Sequence, residues 1–567
     1  MSSSILIPSD SLNGSTMKKM NTVGKVNALN LLQENQRNFD AESLQKTGDA
    51  LKNLQLDFPS TEASVIKLHE ALLFSIAYPG SEAVLQQCNS LMALLVQTVS
   101  KTVSKNRSAY YNSGITGSGV CAQFGLLLNQ YLLAEKLQTL ELSGVDGHNS
   151  ELVAKLTFTL DSVEQELMPD DAGYFNKWQK RYLPGIKNSK NLLDYYIHAC
   201  MQMQGSIAYK ESIFLNFQLF TEFSLDSKLL GLSNGRLGIG SNHIHTQGIQ
   251  KKCTIEEVFL QGKPKQVKLQ ANQQAHLVRL ARGSMASLLR ETDTFSYAQE
   301  HETELHNMGN GISIALYFMI PEQKFALQSY IGYLLYKNGL PMAYGGCWLF
   351  AQQAAFGVNV LPPYRGGESS NVVAQLLRLY HFRFGVQQFT VDPYQIGKGN
   401  SDGIQSGAFW FYYKLGFRPM QQELADLAAS EMLRMTTEKG YRSPAKILVK
   451  LADAEIYWAP STNEATYYSL LNISDKISAH VAKNFNGNRN LALIAATKKY
   501  QKIAQCKVAK NSFLNRLLVT LDAIGVFEKL KPAVVVKIGE AYQQKDNQEA
   551  NAHLKLLGLK AYWQLFK

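Results

Sequence analysis

The stretch 356-FGVNVLPPYRGGESSNVVAQLLRLY-380 decides the fold. It reads as a strand that runs into Pro362 and Pro363, turns through Arg365-Gly366-Gly367 and starts a helix. Proline cannot donate a ladder hydrogen bond, so the pair ends the strand. A strand feeding a glycine turn into a helix amino terminus builds an anion pocket. The first helical turn there has N–H groups with no intrahelical acceptor and a partial positive charge.

Working outward, ISIALYFMI, SYIGYLLY, MAYGGCWLF and AAFGVNVL are rich in β-branched and aromatic residues and read as strands. Lys337-Asn338-Gly339 joins the second to the third as a hairpin. After Ser370 come the helix NVVAQLLRLYHFRFG, the strand VQQFTV and the helix SGAFWFYYKLGF. The order is an antiparallel meander, one crossover helix, a strand and a final helix. That predicts an α+β fold with helices on both faces of a mixed sheet, and excludes a doubly wound nucleotide fold.

At these residues the chain resembles the GNAT superfamily of acyl-CoA N-acyltransferases. The family's strand ends V-x-P-x-Y-R-G, and 360-VLPPYRG-366 matches it in register. Its last helix ends Y-x-K-x-G-F, matched by Tyr412 to Phe417, with Ala408 four residues before Tyr412. The likeness covers Ser329 to Met420. The helix HLVRLARGSMASLLRE and the strand ISIALYFMI are candidates for the family's opening elements.

The resemblance implies an N-acyltransferase that moves an acyl group from acetyl-CoA or another acyl-CoA to an amine on a small molecule or protein; the scattered cysteines, without a C-x-x-C pair, read as those of a cytoplasmic protein. The resemblance implies no metal. Asn359, Val360 and Leu361 would offer main-chain N–H groups to the thioester oxygen. Arg365, Gly366, Gly367, Ser369 and Ser370 would cradle the pyrophosphate. Tyr412 would protonate the departing thiolate. The insertion DPYQIGKGNSDGIQ would lie on the acceptor side, with Asp392, Tyr394 and Asn400, and also Lys398 and Asp402, as substrate contacts or a plain surface loop.

The chain departs from the pattern at Glu368 and Ser370, which stand where the family has small residues. Like charges about 4 Å apart, at an effective dielectric near 20, cost roughly 4 kcal/mol. Either Glu368 points outward and leaves Ser369 and Ser370 to the phosphates, or the loop has lost its donor. The second case makes the domain a binding or scaffold module.

Charge adds a partner to that alternative. The chain of 567 residues has a net charge of +11, and from Tyr441 onward it holds 19 Lys and Arg against 9 Asp and Glu. An acidic partner or nucleic acid is therefore sought at the carboxyl-terminal part, against the plainer reading of a solvated helical surface. No apolar run is long enough to span a bilayer, and the start lacks a charged region leading into an apolar one, which argues against a secretory signal. The six cysteines form no C-x-x-C pair and read as reduced, mostly buried thiols.

The domains expected are a partly disordered tail over 1–60, a helical domain over 61–240, the GNAT-like domain over 270–425 and a basic helical domain over 426–567. In the second, Ser81 caps a helix with Val84, Leu85, Cys88, Leu91, Met92, Leu95, Val96 and Val99 on one face. LTFTLDSVEQEL and NLLDYYIHACMQMQ also read as helices, and residues 228–270 as loop or linker. Gly114-Ile-Thr-Gly117-Ser-Gly119 reads as an interhelical turn. His301 and His306 are five apart and share no helical face, and His243 and His245 have no cysteine pair nearby.

Overall fold

The structure, a computed structural model, describes residues 22–137, 139–146, 156, 161–166, 189–226, 228–240, 242–250, 252–460 and 470–566. The chain divides into two compact units, Met1–Leu95 with Ile244–Gly248, and Val96–His243 with Ile249–Lys567. Among the described residues no helix is long and apolar enough to cross a membrane.

In the first unit, residues 22–56 are not tail. They form the helices Thr22–Asn35 and Ala41–Leu56, because Leu29 and Leu32 in the first and Leu51 and Leu54 in the second lie at helical spacing and are buried. The expected disorder before residue 22 lies outside the described residues. Asp40 caps the second of these helices, and Thr61 caps the one that follows (Glu62–Ala77), each through its side chain. His245 stacks 5.3 Å from Phe39 and donates its backbone N–H to Pro79 O, so it is a packing residue.

The mostly helical domain expected over 61–240 also holds a small sheet. Strands β1 (Gly119–Gln123), β2 (Leu140–Val145) and β3 (Leu219–Ser224) form an antiparallel sheet in the order β1-β3-β2. Its core includes Val120, Leu132, Tyr196 and Phe223, under the helices Leu126–Ala134 and Ser189–Gln202. Gly114–Gly119 leads into β1 rather than a helix, held by Gly117 N–H to Leu225 O at 2.9 Å. The helix expected over LTFTLDSVEQEL is described only as Ser162–Glu166.

Among the described residues the large sheet has nine strands. They are β4 (Lys265–Val267), β5 (Glu304–Gly309), β6 (Ile312–Tyr317), β7 (Ser329–Lys337), β8 (Leu340–Phe350), β9 (Gln353–Val360), β10 (Gln388–Val391), β11 (Arg418–Pro419) and β12 (Ile456–Trp458). The spatial order is β11-β12-β10-β9-β8-β7-β6-β5-β4. All neighbours are antiparallel except β9 and β10, which the helix Ser369–Phe384 connects as a crossover. The fold is α+β with a mixed sheet. Its limits exceed 270–425, since β4 precedes that span and β12 follows it.

Local chemistry explains the main turns. Asn338 at φ 46° and Gly339 at φ 78° make the doubly left-handed hairpin turn between β7 and β8. Gly385 at φ 69° ends the crossover helix. Helices cover both faces of the sheet. A Cβ on Gly332 would lie 1.9 Å from Thr294 Oγ1 on one face, while Tyr333 meets Tyr380 of the crossover helix on the other at 6.4 Å.

Residues 228–250 are not a free linker. Gly231 N–H donates to Ser287 Oγ at 2.8 Å, Leu237 N–H donates to Gly339 O at 2.8 Å, and Leu230 and Leu237 are buried. The carboxyl-terminal helices Phe513–Ala523, Pro532–Gln544 and Glu549–Leu557 share a core with Phe350, at the end of β8, whose ring lies 5.5 Å from Trp563.

Candidate functional site

Strands β9 and β10 pair from Gln353↔Gln388 to Phe356↔Val391 and then part. The cause is local. Val391 is followed by Asp392 and Pro393, and Pro393 opens a short helix (Pro393–Ile396) that Asp392 caps by accepting from Tyr394 N–H at 2.8 Å. β9 continues alone on that side while remaining paired with β8 up to Ala343↔Val360.

Register decides which N–H groups face the gap. Leu361 N–H donates to Met342 O at 2.9 Å. Bonding alternates along an antiparallel pair, so Leu361, Asn359 and Gly357 turn toward β8, and Val358 and Val360 turn toward the side β10 has left. Of the expected trio, Asn359 and Leu361 are therefore turned to the sheet and only Val360 faces the gap. Val358 joins it, a residue the motif alone does not single out. Val360 O accepts from Arg365 Nε at 3.1 Å.

The loop beyond is a tight turn. Arg365 N–H donates to Pro362 O at 3.3 Å, Gly367 N–H donates to Tyr364 O at 3.2 Å, and Gly366 takes the left-handed φ of 72°. Arg365 and Gly367 thus use their amides to close the turn. The first intrahelical bond is Val372 N–H to Glu368 O at 2.9 Å, so the amides of Ser369 and Ser370 lie ahead of the helical ladder. No side chain caps this helix start. Ser369 and Ser370 are half-buried there.

Glu368 does not point outward. It is 6% exposed, and its Oε2 accepts from the buried Lys337 Nζ at 3.0 Å. Lys337 Nζ also donates to Asn310 O at 2.9 Å. Burial draws the lysine pKa down and the carboxylate opposes it.

Tyr412 lies in the helix Ala408–Lys414, its ring 6.0 Å from Phe356, the last β9 residue paired with β10. It is 4% exposed, and burial pushes its phenol well above the ordinary range. The phenol is therefore neutral, the form a proton donor needs. Transfer to a thiolate of ordinary pKa near 8.5 is uphill by at least about 2 kcal/mol. Tyr333, absent from the motifs, stands beside it: its hydroxyl donates to Gly357 O at 2.7 Å, and Tyr412 is among the groups that raise its own pKa, after burial.

The insertion contributes less. Asn400 caps the helix Ser401–Ser406 and donates to Tyr394 O at 3.0 Å, so Asp392 and Asn400 act as caps. Lys398 Nζ donates to Asp453 O at 3.1 Å, and Asp402 is exposed. Tyr394 is 44% exposed and remains available. Gln395 lies over Gly357, 3.4 Å from where a Cβ would be.

A cavity of about 560 Å³ lies elsewhere, lined by Gln274, His301, Glu304, Arg383 and Asn551 among others. Burial would raise the Glu304 carboxyl, but hydrogen bonds from His306 and Arg383 hold it at about 2. The HETELH stretch is thus the acidic half of a buried ion pair rather than a zinc helix. Among the described residues no three His, Cys, Asp or Glu side chains are grouped as a metal ion would need. Compared with protein-family models, curated proteins and solved structures, the chain matches none.

Proposed function

We propose that the protein is a GNAT-like N-acyltransferase that moves an acyl group from acyl-CoA to an amine. The observation that carries this reading is the parting of β9 and β10 after Phe356↔Val391, with an uncapped helix start at one end of β9 and a neutral phenol beside Phe356. The amides and hydroxyls of Ser369 and Ser370 hold the pyrophosphate. The amides of Val358 and Val360 stabilise the thioester oxygen as it gains charge. The neutral amine attacks the thioester carbon, the carbon–sulfur bond breaks, Tyr412 gives its proton to the thiolate as it leaves, and the proton shed by the acylated nitrogen restores the phenol. Calorimetric titration with acetyl-CoA tests it: saturable heat supports the reading, and neither heat nor a thermal shift at millimolar ligand refutes it.

One observation favours a second reading. Tyr412 is deeply buried with its pKa raised, which weakens it as an acid. In that case the domain binds without turnover, and the basic residues beyond Tyr441 meet nucleic acid or an acidic protein. Nucleic acid or an acidic protein bound at low salt, with no acyl transfer across a panel of amines, would select it.

A further inference from the structure

We infer that Lys337 is a positioning residue that makes the start of the Ser369–Phe384 helix habitable for a phosphate by neutralising and withdrawing Glu368. The inference rests on the acyl-CoA reading above and assigns a role to a lysine outside the motifs that suggested that reading.

Glu368 occupies the position immediately before the helix, where its carboxylate could reach back to the free amides and fill the anion site itself. It does not: no side-chain cap bond forms there. The carboxylate instead turns into the protein, where Lys337 Nζ meets it at 3.0 Å, with side-chain exposures of 0% for the lysine and 7% for the glutamate. A lysine so enclosed touches no ligand. Its effect must pass through Glu368.

The lysine is itself held in place. It ends β7 immediately before the Asn338-Gly339 turn, and its ammonium donates to Asn310 O at 2.9 Å. Asn338 is gripped from the next segment in both directions: its Oδ1 accepts from His243 N–H at 2.8 Å, and its Nδ2 donates to His243 O at 2.9 Å. Gly311 packs on the same side chain, since a Cβ there would fall 2.4 Å from Asn338 Oδ1. The hairpin end thus presents a fixed positive charge to a residue whose negative charge would otherwise lie beside the phosphates. The combination explains how a glutamate is tolerated where the motif has a small residue.

The charge signs supply the test, read as the acetyl-CoA dissociation constant by calorimetry on the full chain. Lys337→Met leaves Glu368 uncompensated, and its affinity should fall at least about tenfold. Lys337→Met with Glu368→Gln removes both charges and should return to within about threefold of wild type. Glu368→Gln alone should bind as tightly as wild type or tighter. Wild-type affinity in Lys337→Met, a double variant as weak as the single, or weakening by Glu368→Gln overturns the inference. Should Lys337→Met fail to fold, the other two variants leave no bare carboxylate, and weakening beyond threefold in either overturns it. Wild-type protein that binds no acetyl-CoA is a different failure, that of the acyltransferase reading.

Discussion

Replacing Gly345 by alanine should destabilise the central sheet, whereas the same change at Gly357 should not. Gly345 lies in β8 and Gly357 in β9, one register step apart. A Cβ on Gly345 would sit 2.2 Å from Gly357 O and 2.6 Å from Tyr333 Oη, inside the hydrogen bond these two atoms make at 2.7 Å. The carbonyl belongs to a paired strand, so the strands must separate or the bond must break. Overpacking of this kind costs about 1–3 kcal/mol. A lost hydrogen bond adds about 0.5–1.5 kcal/mol. Stiffening of the unfolded chain returns about 0.4–1 kcal/mol. The net loss is then about 0.5–4 kcal/mol.

At Gly357 the three atoms nearest the new methyl all belong to the Gln395 side-chain amide, the far end of a flexible side chain, with Nε2 the nearest at 3.4 Å. The carbonyl that Tyr333 holds is kept. Only the unfolded-chain term remains, so Gly357→Ala should be neutral or stabilising by up to about 1 kcal/mol. Urea unfolding followed by tryptophan fluorescence reads both variants, since Trp348 and Trp458 belong to this sheet and Trp410 lies in the Ala408–Lys414 helix. At unchanged denaturant slope, the Gly345→Ala midpoint falls and the Gly357→Ala midpoint holds or rises. Equal losses in the two variants, or none at Gly345, would refute the close approach of β8 to β9 beside Val358.

Tyr412→Phe should lower kcat by about 100-fold or more while the acetyl-CoA dissociation constant stays within a few-fold, because a general acid acts on the leaving thiolate and not on the bound donor; single-turnover rates and calorimetry check it. Acid should destabilise the protein in two windows. His553 is buried and neutral with its pKa lowered to about 4, so the unfolded chain takes its proton first, and stability present above pH 6.5 is lost as pH falls through 4, by about 3 kcal/mol. Glu304, held at about 2 against an ordinary 4.5, contributes stability above pH 4.5 that is lost as pH falls toward 2, again by about 3 kcal/mol. Urea midpoints across pH 7 to 3 should lose the first slope in His553→Gln and the second in Glu304→Gln. If the basic carboxyl-terminal part engages nucleic acid, affinity should drop about 1,000-fold or more between 50 and 200 mM salt for six to ten phosphate contacts; a flat response in fluorescence anisotropy excludes it.

What the sequence reveals of this site follows the range of the forces involved. Asn338-Gly339 is legible because both residues must be left-handed and their side chains allow it. The caps at Asp392 and Asn400 are equally local, since a carboxylate before proline or an amide three residues before glycine finds its amide partner within one turn. By the same logic these two residues read as helix starts before they read as substrate contacts. Strand β12, three residues between helices, carries too little periodicity to declare itself, and only its place beside β10 makes it a strand. The oxyanion register is hidden for a related reason. Whether Asn359 or Val360 faces the gap depends on which β8 residue lies opposite, a fact set by the hairpin and not by the motif. Glu368 is the sharpest case. Its nearest cation along the chain is Arg365, which the fold turns toward Val360 O, while the lysine that compensates it stands 31 residues earlier on another strand. A carboxylate beside a phosphate loop therefore reads as an obstacle in the sequence and as half of an ion pair in the fold. The difference is a matter of which charges share a low-dielectric interior, and only the tertiary structure decides that.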